Sequence, residues 1–335
     1  MGLDKSIHSI AVVVPVYMGE ETLRELVNEI RLMQSVSLSP MNHRFRVNEI
    51  VLVHDCGPDR SDEVIRQLCE VDQTVIPVWL SRNFGQHAAT LAGLAATSAD
   101  WVATLDEDGQ HNPIDLGALL DQAIGTRASL VYAEPISAPS HNFVRNFTSR
   151  FAKRLASLLS GSSTPLMFSS FRLISGEIAR SVAAFSGPSV YLDVALSWIT
   201  QGTSSVAVEY RNERRPRSGY STRKLIGHFW KLAVTTGTRP LRLVSAIGAA
   251  TGIAGFLLAG RIVYDKIFNG IAAQGWASVF VGILILGGAV LFAVGIIAEY
   301  LGLVVRSSLG QPTYLTIRDP KSSPVHGYGS DTQSA

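Results

Sequence analysis

Cysteine is scarce in this chain. Only Cys56 and Cys69 occur in 335 residues, which excludes a disulfide framework or a cysteine-rich zinc site and fits a reducing compartment. His87 and His111 pair with no cysteine or histidine at zinc spacing. Glycine-rich phosphate loops are missing as well. No G-x-G-x-x-G follows the first apolar run and no G-x-x-x-x-G-K-[ST] occurs anywhere, so neither a dinucleotide fingerprint nor a P-loop serves a phosphorylated ligand. The net charge of +2 is too small to mark a nucleic-acid partner. No long apolar run follows "MGLDKSIHSI", so no cleaved secretion signal is expected.

Charge is wholly absent from two internal stretches, Leu243 to Gly260 and Ile267 to Ala298. Each can supply the ~20 apolar residues that cross a bilayer as a helix, and 47% hydrophobic residues overall agree with contact to lipid. The sequence therefore predicts two transmembrane helices, over residues 243–263 and 276–298. Arg223, Lys224, Lys231, Arg239 and Arg242 precede the first, and Arg306, Arg318 and Lys321 follow the second. By the positive-inside bias both ends face the cytoplasm, which makes this a multi-pass protein of the plasma (inner) membrane with its loop near 264–275 outside. Gly248 and Gly252 form a G-x-x-x-G in the first span, a spacing that admits a homo-oligomer. Glu299 ends the second span and is expected to point to the interface or into protein.

Before the spans the hydrophobic period switches repeatedly. "SIAVVVPVY", "EIVLVHD", "TVIPVWL", "WVATLD" and "SLVYAE" read as strands, and "EETLRELVNEIRLM", "DEVIRQLCE", "HAATLAGLAAT" and "PIDLGALLDQAI" read as helices between them. The class is α/β, with a mostly parallel central sheet. The division is 1–220 as the soluble domain, 221–240 as a juxtamembrane helix, 241–305 as the two spans and 306–335 as a tail, disordered from Pro320.

Ligands of such sheets bind beyond the carboxyl ends of the strands. Asp106 and Asp108 stand at one of these ends, in "TLDEDGQHNP". Without a glycine cradle, a divalent cation held by this pair would neutralise a phosphorylated ligand, with Gln110 adding a carbonyl oxygen. The same spacing also occurs in bare surface turns.

"VVVPVYMGEE", "VHDCGPDRSD", "SRNFGQHAATLAGL" and "TLDEDGQHNP" together resemble the family 2 glycosyltransferases of the GT-A fold. "SSFRLISGEIAR", "SVYLDVALSWI", "PRSGYSTRKL" and "AEYLGLVVRSSLGQPTYL" extend the resemblance to the polyprenyl-phosphate branch, which includes dolichol-phosphate-mannose synthases. It covers most of residues 8–318. The resemblance implies that Pro15, Tyr17, Glu20, Asp55, Asp106 and Glu107 bind the donor nucleotide and sugar. It also implies that Asp106, Asp108 and Gln110 hold Mg²⁺ or Mn²⁺ on the donor diphosphate, with Asp106 and Asp108 counted as catalytic. Asp193 is either a further catalytic residue or an ordinary helix N-cap.

A lipid phosphate is already anionic at neutral pH, so its attack on a sugar needs positioning more than a strong base. Residues 141–159 put Val144, Phe147, Phe151, Leu155 and Leu158 at helical spacing among Arg145, Arg150, Lys153 and Arg154, as in an interfacial helix. Residues 221–234 read as a second such segment. Arg145, Ser149, Arg172, Arg215 and Ser218 are the candidates for the acceptor phosphate. General attraction of basic segments to anionic headgroups is the plainer reading for any one arginine.

The chain departs from the family pattern at three places. His54-Asp55-Cys56-Gly57 stands where relatives more often show two aspartates followed by Gly and Ser, Ser170 where some carry an aspartate, and Pro216 where a glycine is common. The reading is an inverting transferase that moves one sugar from a nucleotide diphosphate, most simply a UDP-sugar, to polyprenyl phosphate at the cytoplasmic leaflet. A non-catalytic nucleotide-sugar-binding scaffold is the alternative. A processive polysaccharide synthase is disfavoured because two spans are few for a channel and no Q-x-x-R-W occurs.

Overall fold

The computed structural model describes residues 7–136, 169–185, 187, 191–200, 202–211, 239–268 and 275–322. Arg145, Ser149, Arg215 and Ser218, and both expected interfacial segments, lie outside them. The described residues fall in two compact units.

The first unit alternates strands and helices as the hydrophobic period predicts. In chain order it holds β1 (His8–Val16), α1 (Leu23–Arg31), β2 (Ser37–Leu38), β3 (Arg44–His54), α2 (Ser61–Val71), β4 (Val75–Leu80), α3 (Gln86–Ala95) and β5 (Trp101–Thr104). Then come α4 (Leu116–Thr126), β6 (Leu130–Pro135), β7 (Arg172–Ser175), α5 (Gly176–Phe185), α6 (Leu192–Ile199) and β8 (Thr203–Val208). The sheet runs β8-β6-β7-β5-β1-β3-β4, with β2 beside β3. Its β1–β3, β1–β5, β3–β4 and β6–β8 pairings are parallel, and β7 is inserted antiparallel between β5 and β6.

β1 is apolar without alternation because both of its faces are covered. Ile10, Val12 and Val14 pack with Leu23 and Leu26 of α1, Ile65 of α2 and Leu119 of α4. Ala11 and Val13 pack with Leu91 of α3, Val182 of α5 and Leu196 of α6. α1 buries Leu23, Leu26, Val27 and Ile30, one stripe at helical spacing. The carboxyl ends of β1, β3, β4 and β5 therefore open at one edge, where the candidate residues stand.

The chain returns to this sheet after the membrane-type segments. β9 (Thr316–Ile317) lies antiparallel to β4, pairing Trp79 with Ile317 and Leu80 with Thr316. Arg66 of α2 fixes it, its Nε 2.8 Å from Asp319 Oδ2 and its Nη2 2.9 Å from Oδ1. Pro320–Ser322, expected as the start of a disordered tail, instead form a short 3-10 turn, secured by the Asp319 pairing. Residues 323–335 lie outside the described ones.

The second unit contains two long helices, α7 (Arg239–Phe268) and α8 (Trp276–Ser308). Within α8, Ile285–Val305 has a mean hydropathy of 2.2 and is 6% buried, long and apolar enough to cross a membrane. The apolar part of α7, Val244–Leu258, is shorter. Among the described residues, length and composition thus qualify one helix, where the sequence predicted two.

Candidate active site

The site begins where β5 ends and its backbone turns through Asp106, Glu107 and Asp108. Glu107 reaches across to the turn after β1, accepting from the backbone N–H of Tyr17 at 3.0 Å and of Met18 at 3.1 Å. One carboxylate thus ties two strand ends together. Tyr17 is exposed beside it, and Pro15 is half-buried within β1. Glu20 accepts from the Arg60 N–H at 3.1 Å while its own N–H donates to Asp59 at 3.0 Å. The turns after β1 and β3 therefore lock each other.

Asp55 is 3% exposed, at the end of β3. Its two oxygens accept from the N–H groups of Phe84 at 2.7 Å and Gly85 at 2.8 Å. Burial pushes its carboxyl up, and these two bonds pull it back. Gly85 has φ +92°, a conformation that disfavours any side chain, so the turn needs glycine there. Asp55 thus holds the loop between β4 and α3 from behind.

Asp106 is held on both oxygens. Gln86, the first residue of α3, donates from Nε2 to Oδ1 at 2.6 Å, and the Ser170 hydroxyl donates to Oδ2. The Asp106 N–H donates to His111 Nδ1 at 3.2 Å, so that nitrogen is an acceptor and the neutral ring carries its proton on Nε2. His111 is 2% exposed, stacked 5.1 Å from Phe171 with Tyr210 edge-on at 5.0 Å. Burial lowers its pKa, in keeping with the neutral form, and burial raises that of Asp106 against the pull of His111 and Ser170.

Asp108 is the more open of the pair. Its Oδ1 accepts from the Gln110 N–H at 3.0 Å, and Oδ2 has no hydrogen-bond partner among the described residues. The Gln110 carbonyl accepts from the Arg211 N–H at 2.9 Å, and Arg211 grips both oxygens of Glu29 at 2.8 Å and Asn112 Oδ1 at 2.8 Å. The Asp-x-Asp turn is thereby braced against α1.

Arg172 and Asp193 are given to each other. Both are 4% exposed; Arg172 Nη1 bonds Asp193 Oδ1, and Tyr132 donates to the same oxygen at 3.0 Å. Asp193 lies in the first turn of α6, whose N-cap is Tyr191, so its carboxylate serves Arg172 rather than the helix end. Burial raises its pKa, and Arg172 opposes that. Arg172 Nε is buried without a hydrogen-bond partner among the described residues.

The structure thus brings Pro15, Tyr17, Glu20, Asp55, Asp106, Glu107, Asp108 and Gln110 to one edge of the sheet. Sequence reasoning missed Gln86, Arg211 and the bond from Ser170 to Asp106. Of these, only Gln86 had entered it, as part of the motif "SRNFGQHAATLAGL". Among the described residues no three His, Cys, Asp or Glu side chains gather as a closed metal cage. A hard cation that binds one or two carboxylates and completes its shell with phosphate oxygens fits this turn, because Asp108 Oδ2 has no hydrogen-bond partner among the described residues.

The family profile described as glycosyl transferase family 2 matches residues 11–182, just over half of the chain. The bactoprenol glucosyl transferase of Shigella phage SfX is 30% identical over 312 residues, 91% of this chain and 98% of that protein. The undecaprenyl-phosphate 4-deoxy-4-formamido-L-arabinose transferase of Pseudomonas paraeruginosa is 28% identical over 322 residues, 94% of this chain and 91% of that one. Among solved structures, glucosyl-3-phosphoglycerate synthase from Mycobacterium tuberculosis, in complex with Mn²⁺, UDP and phosphoglyceric acid, aligns at TM-score 0.46 and 18% identity. That alignment covers 68% of this chain and 77% of the other. The class is that of a glycosyltransferase, built on an α/β fold with a mostly parallel sheet. Within that class, the chain belongs to glycosyl transferase family 2.

Proposed function

We propose that this chain transfers a single sugar, with inversion, from a UDP-sugar to polyprenyl phosphate at the cytoplasmic face of the plasma membrane. The observation that carries the reading is the Asp106–Asp108 turn with its open Asp108 oxygen, at the strand end where Asp55, Glu107 and Gln86 converge. The acceptor class follows from relatives named for bactoprenol and undecaprenyl phosphate that align over nine-tenths of the chain.

In this reading Pro15, Tyr17, Glu20 and Asp55 bound the nucleoside, and Asp106 and Glu107 the ribose and sugar. Glu107 also fixes the backbone at Tyr17 and Met18, and Glu20 holds the Arg60 N–H of the turn after β3. Asp108, Asp106 and Gln110 would hold Mg²⁺ or Mn²⁺, which when bound supplies Lewis-acid stabilisation of the departing diphosphate. Arg145, Ser149, Arg172, Arg215 and Ser218 orient the acceptor phosphate. Arg172 is held in place by its ion pair with Asp193. A phosphate oxygen forms the new bond to the anomeric carbon, and the bond from that carbon to the UDP oxygen breaks with its electron pair leaving on the diphosphate. No general base is required, because the phosphate oxygen is already an anion.

Both α7 and α8 cross the bilayer in this proposal. The sheet that contains β8 also contains β9, so the chain leaves one unit and returns to it across the two helices. That return supports an even number of crossings, with α7 as the partner of α8.

The test is product analysis from detergent-solubilised protein supplied with a panel of UDP- and GDP-sugars and undecaprenyl phosphate. The proposal predicts one chloroform-extractable product carrying one sugar, its anomeric configuration opposite to that of the donor. A long glycan or a retained configuration would refute it.

A further inference from the structure

Three consecutive residues, Phe84, Gly85 and Gln86, join the two carboxylates of the site. Asp55 holds the first two by their backbone N–H groups at 2.7 and 2.8 Å, and the third points its amide at Asp106 Oδ1 at 2.6 Å. The other Asp106 oxygen is taken by the Ser170 hydroxyl, whose backbone carbonyl in turn accepts from the Thr104 hydroxyl on β5. Both donors to Asp106 are neutral. They fix the plane of the carboxylate without cancelling its charge, whereas a lysine in either place would neutralise it. An aspartate in place of Ser170 would face Asp106 with a second carboxylate. Here a hydroxyl stands instead, and the grip is wholly by hydrogen-bond donors.

We propose that Gln86 is a positioning residue of the transfer site, aiming the Asp106 carboxylate at the donor, and that Asp55 acts through it by fixing the turn from which Gln86 projects. The inference rests on the transferase reading above. Gln86 is exposed at the edge where the donor binds, so removing its amide deletes few packing contacts. A hydrogen bond to an ionised group is roughly twice as strong as a neutral one, so its loss is expected at the carboxylate and not in the fold.

The experiment compares the full chain in detergent with Gln86→Leu, Gln86→Glu, Asp106→Asn and the double variant Gln86→Glu/Asp106→Asn. Sugar transfer is read as kcat and KM, UDP binding by calorimetry with and without Mn²⁺, and folding by Tm. Gln86→Leu is expected to lower kcat about tenfold, the scale of one charged hydrogen bond, with Tm unchanged. Gln86→Glu, which keeps the shape and faces a carboxylate with a carboxylate, should lose more. In the double variant donor and acceptor are exchanged, so the glutamate should cost less than twofold beyond Asp106→Asn alone. A structural role would not produce that exchange. The inference is overturned if wild type transfers sugar while Gln86→Leu and Gln86→Glu match it, or if the losses at 86 and 106 simply multiply. A wild-type chain that neither bound UDP nor transferred sugar would overturn the transferase reading and this inference together.

Discussion

At the scale of single residues, Gly57 shows how tightly the two central strand ends are drawn together. A Cβ placed there would lie 1.5 Å from the Tyr17 carbonyl oxygen, a backbone atom that cannot rotate away. Gly57→Ala is therefore expected to destabilise the fold by about 1–3 kcal/mol through overpacking, seen as a lower Tm, and to weaken UDP binding because Tyr17 must move. An unchanged Tm would show that the turn is looser than this contact implies. His54, one of the departures from the family pattern, is 7% exposed, its ring 5.4 Å from that of Trp79, and its Nε2 has no hydrogen-bond partner among the described residues. Burial lowers its pKa; Asp62, Asp59 and Asp319 oppose that, and Arg66 reinforces it. The folded pKa lies below the unfolded value of about 6.5, so the neutral ring's contribution is complete above that value and is lost as pH falls through the folded pKa. Thermal scans across that window should show a decline that His54→Phe flattens. The letters of the sequence disclosed Asp55, Asp106 and Asp108 because carboxylates at strand ends are conspicuous. Gln86 and Arg211 stayed hidden because a neutral amide and a surface-type arginine acquire meaning only when the fold sets a carboxylate opposite them.

At the scale of elements, the strands and helices up to β6, the two-residue β2 excepted, were legible from the change of period, since each buries a face that its sequence marks. β7 and β9 were not. Each is short, four and two residues long, and each pairs antiparallel with a strand remote in sequence. No local pattern announces such a partner. β9 depends on the ion pair of Arg66 with Asp319 and the contact of Lys321 with Glu63 at 3.3 Å. Asp319→Ala should therefore release the segment after α8, and trypsin should cut at Arg318 and Lys321 several times faster than in wild type. An equal rate would show that the strand pairing alone holds it. The long helices carry the proposal of two crossings. With Cys56 and Cys69 replaced by serine, Gln274→Cys is expected to react with a membrane-impermeant maleimide added to intact cells. Labelling only after the cells are opened would place the 269–275 connection inside and remove the second crossing.

At the scale of the whole molecule, soluble and apolar halves divide one task. In the proposed function the sheet edge takes the charged diphosphate, and the long helices hold the chain at the membrane where a polyprenyl phosphate resides. That order, carboxylate turns first and apolar runs last, made the class of reaction readable before any geometry. The identity of the sugar was not readable, because it depends on a few hydroxyl contacts that no pattern of residue types encodes. The most direct test of the central claim measures transfer of label from the donor found by product analysis to undecaprenyl phosphate. It compares wild type with Asp108→Ala, each with Mg²⁺ or Mn²⁺ and with EDTA. The account predicts lipid-linked label from wild type with metal, its abolition by EDTA, and at least a hundredfold loss in Asp108→Ala, on the scale of removing one main electrostatic contact to the departing group. Full transfer by Asp108→Ala, or by wild type in EDTA, would contradict it.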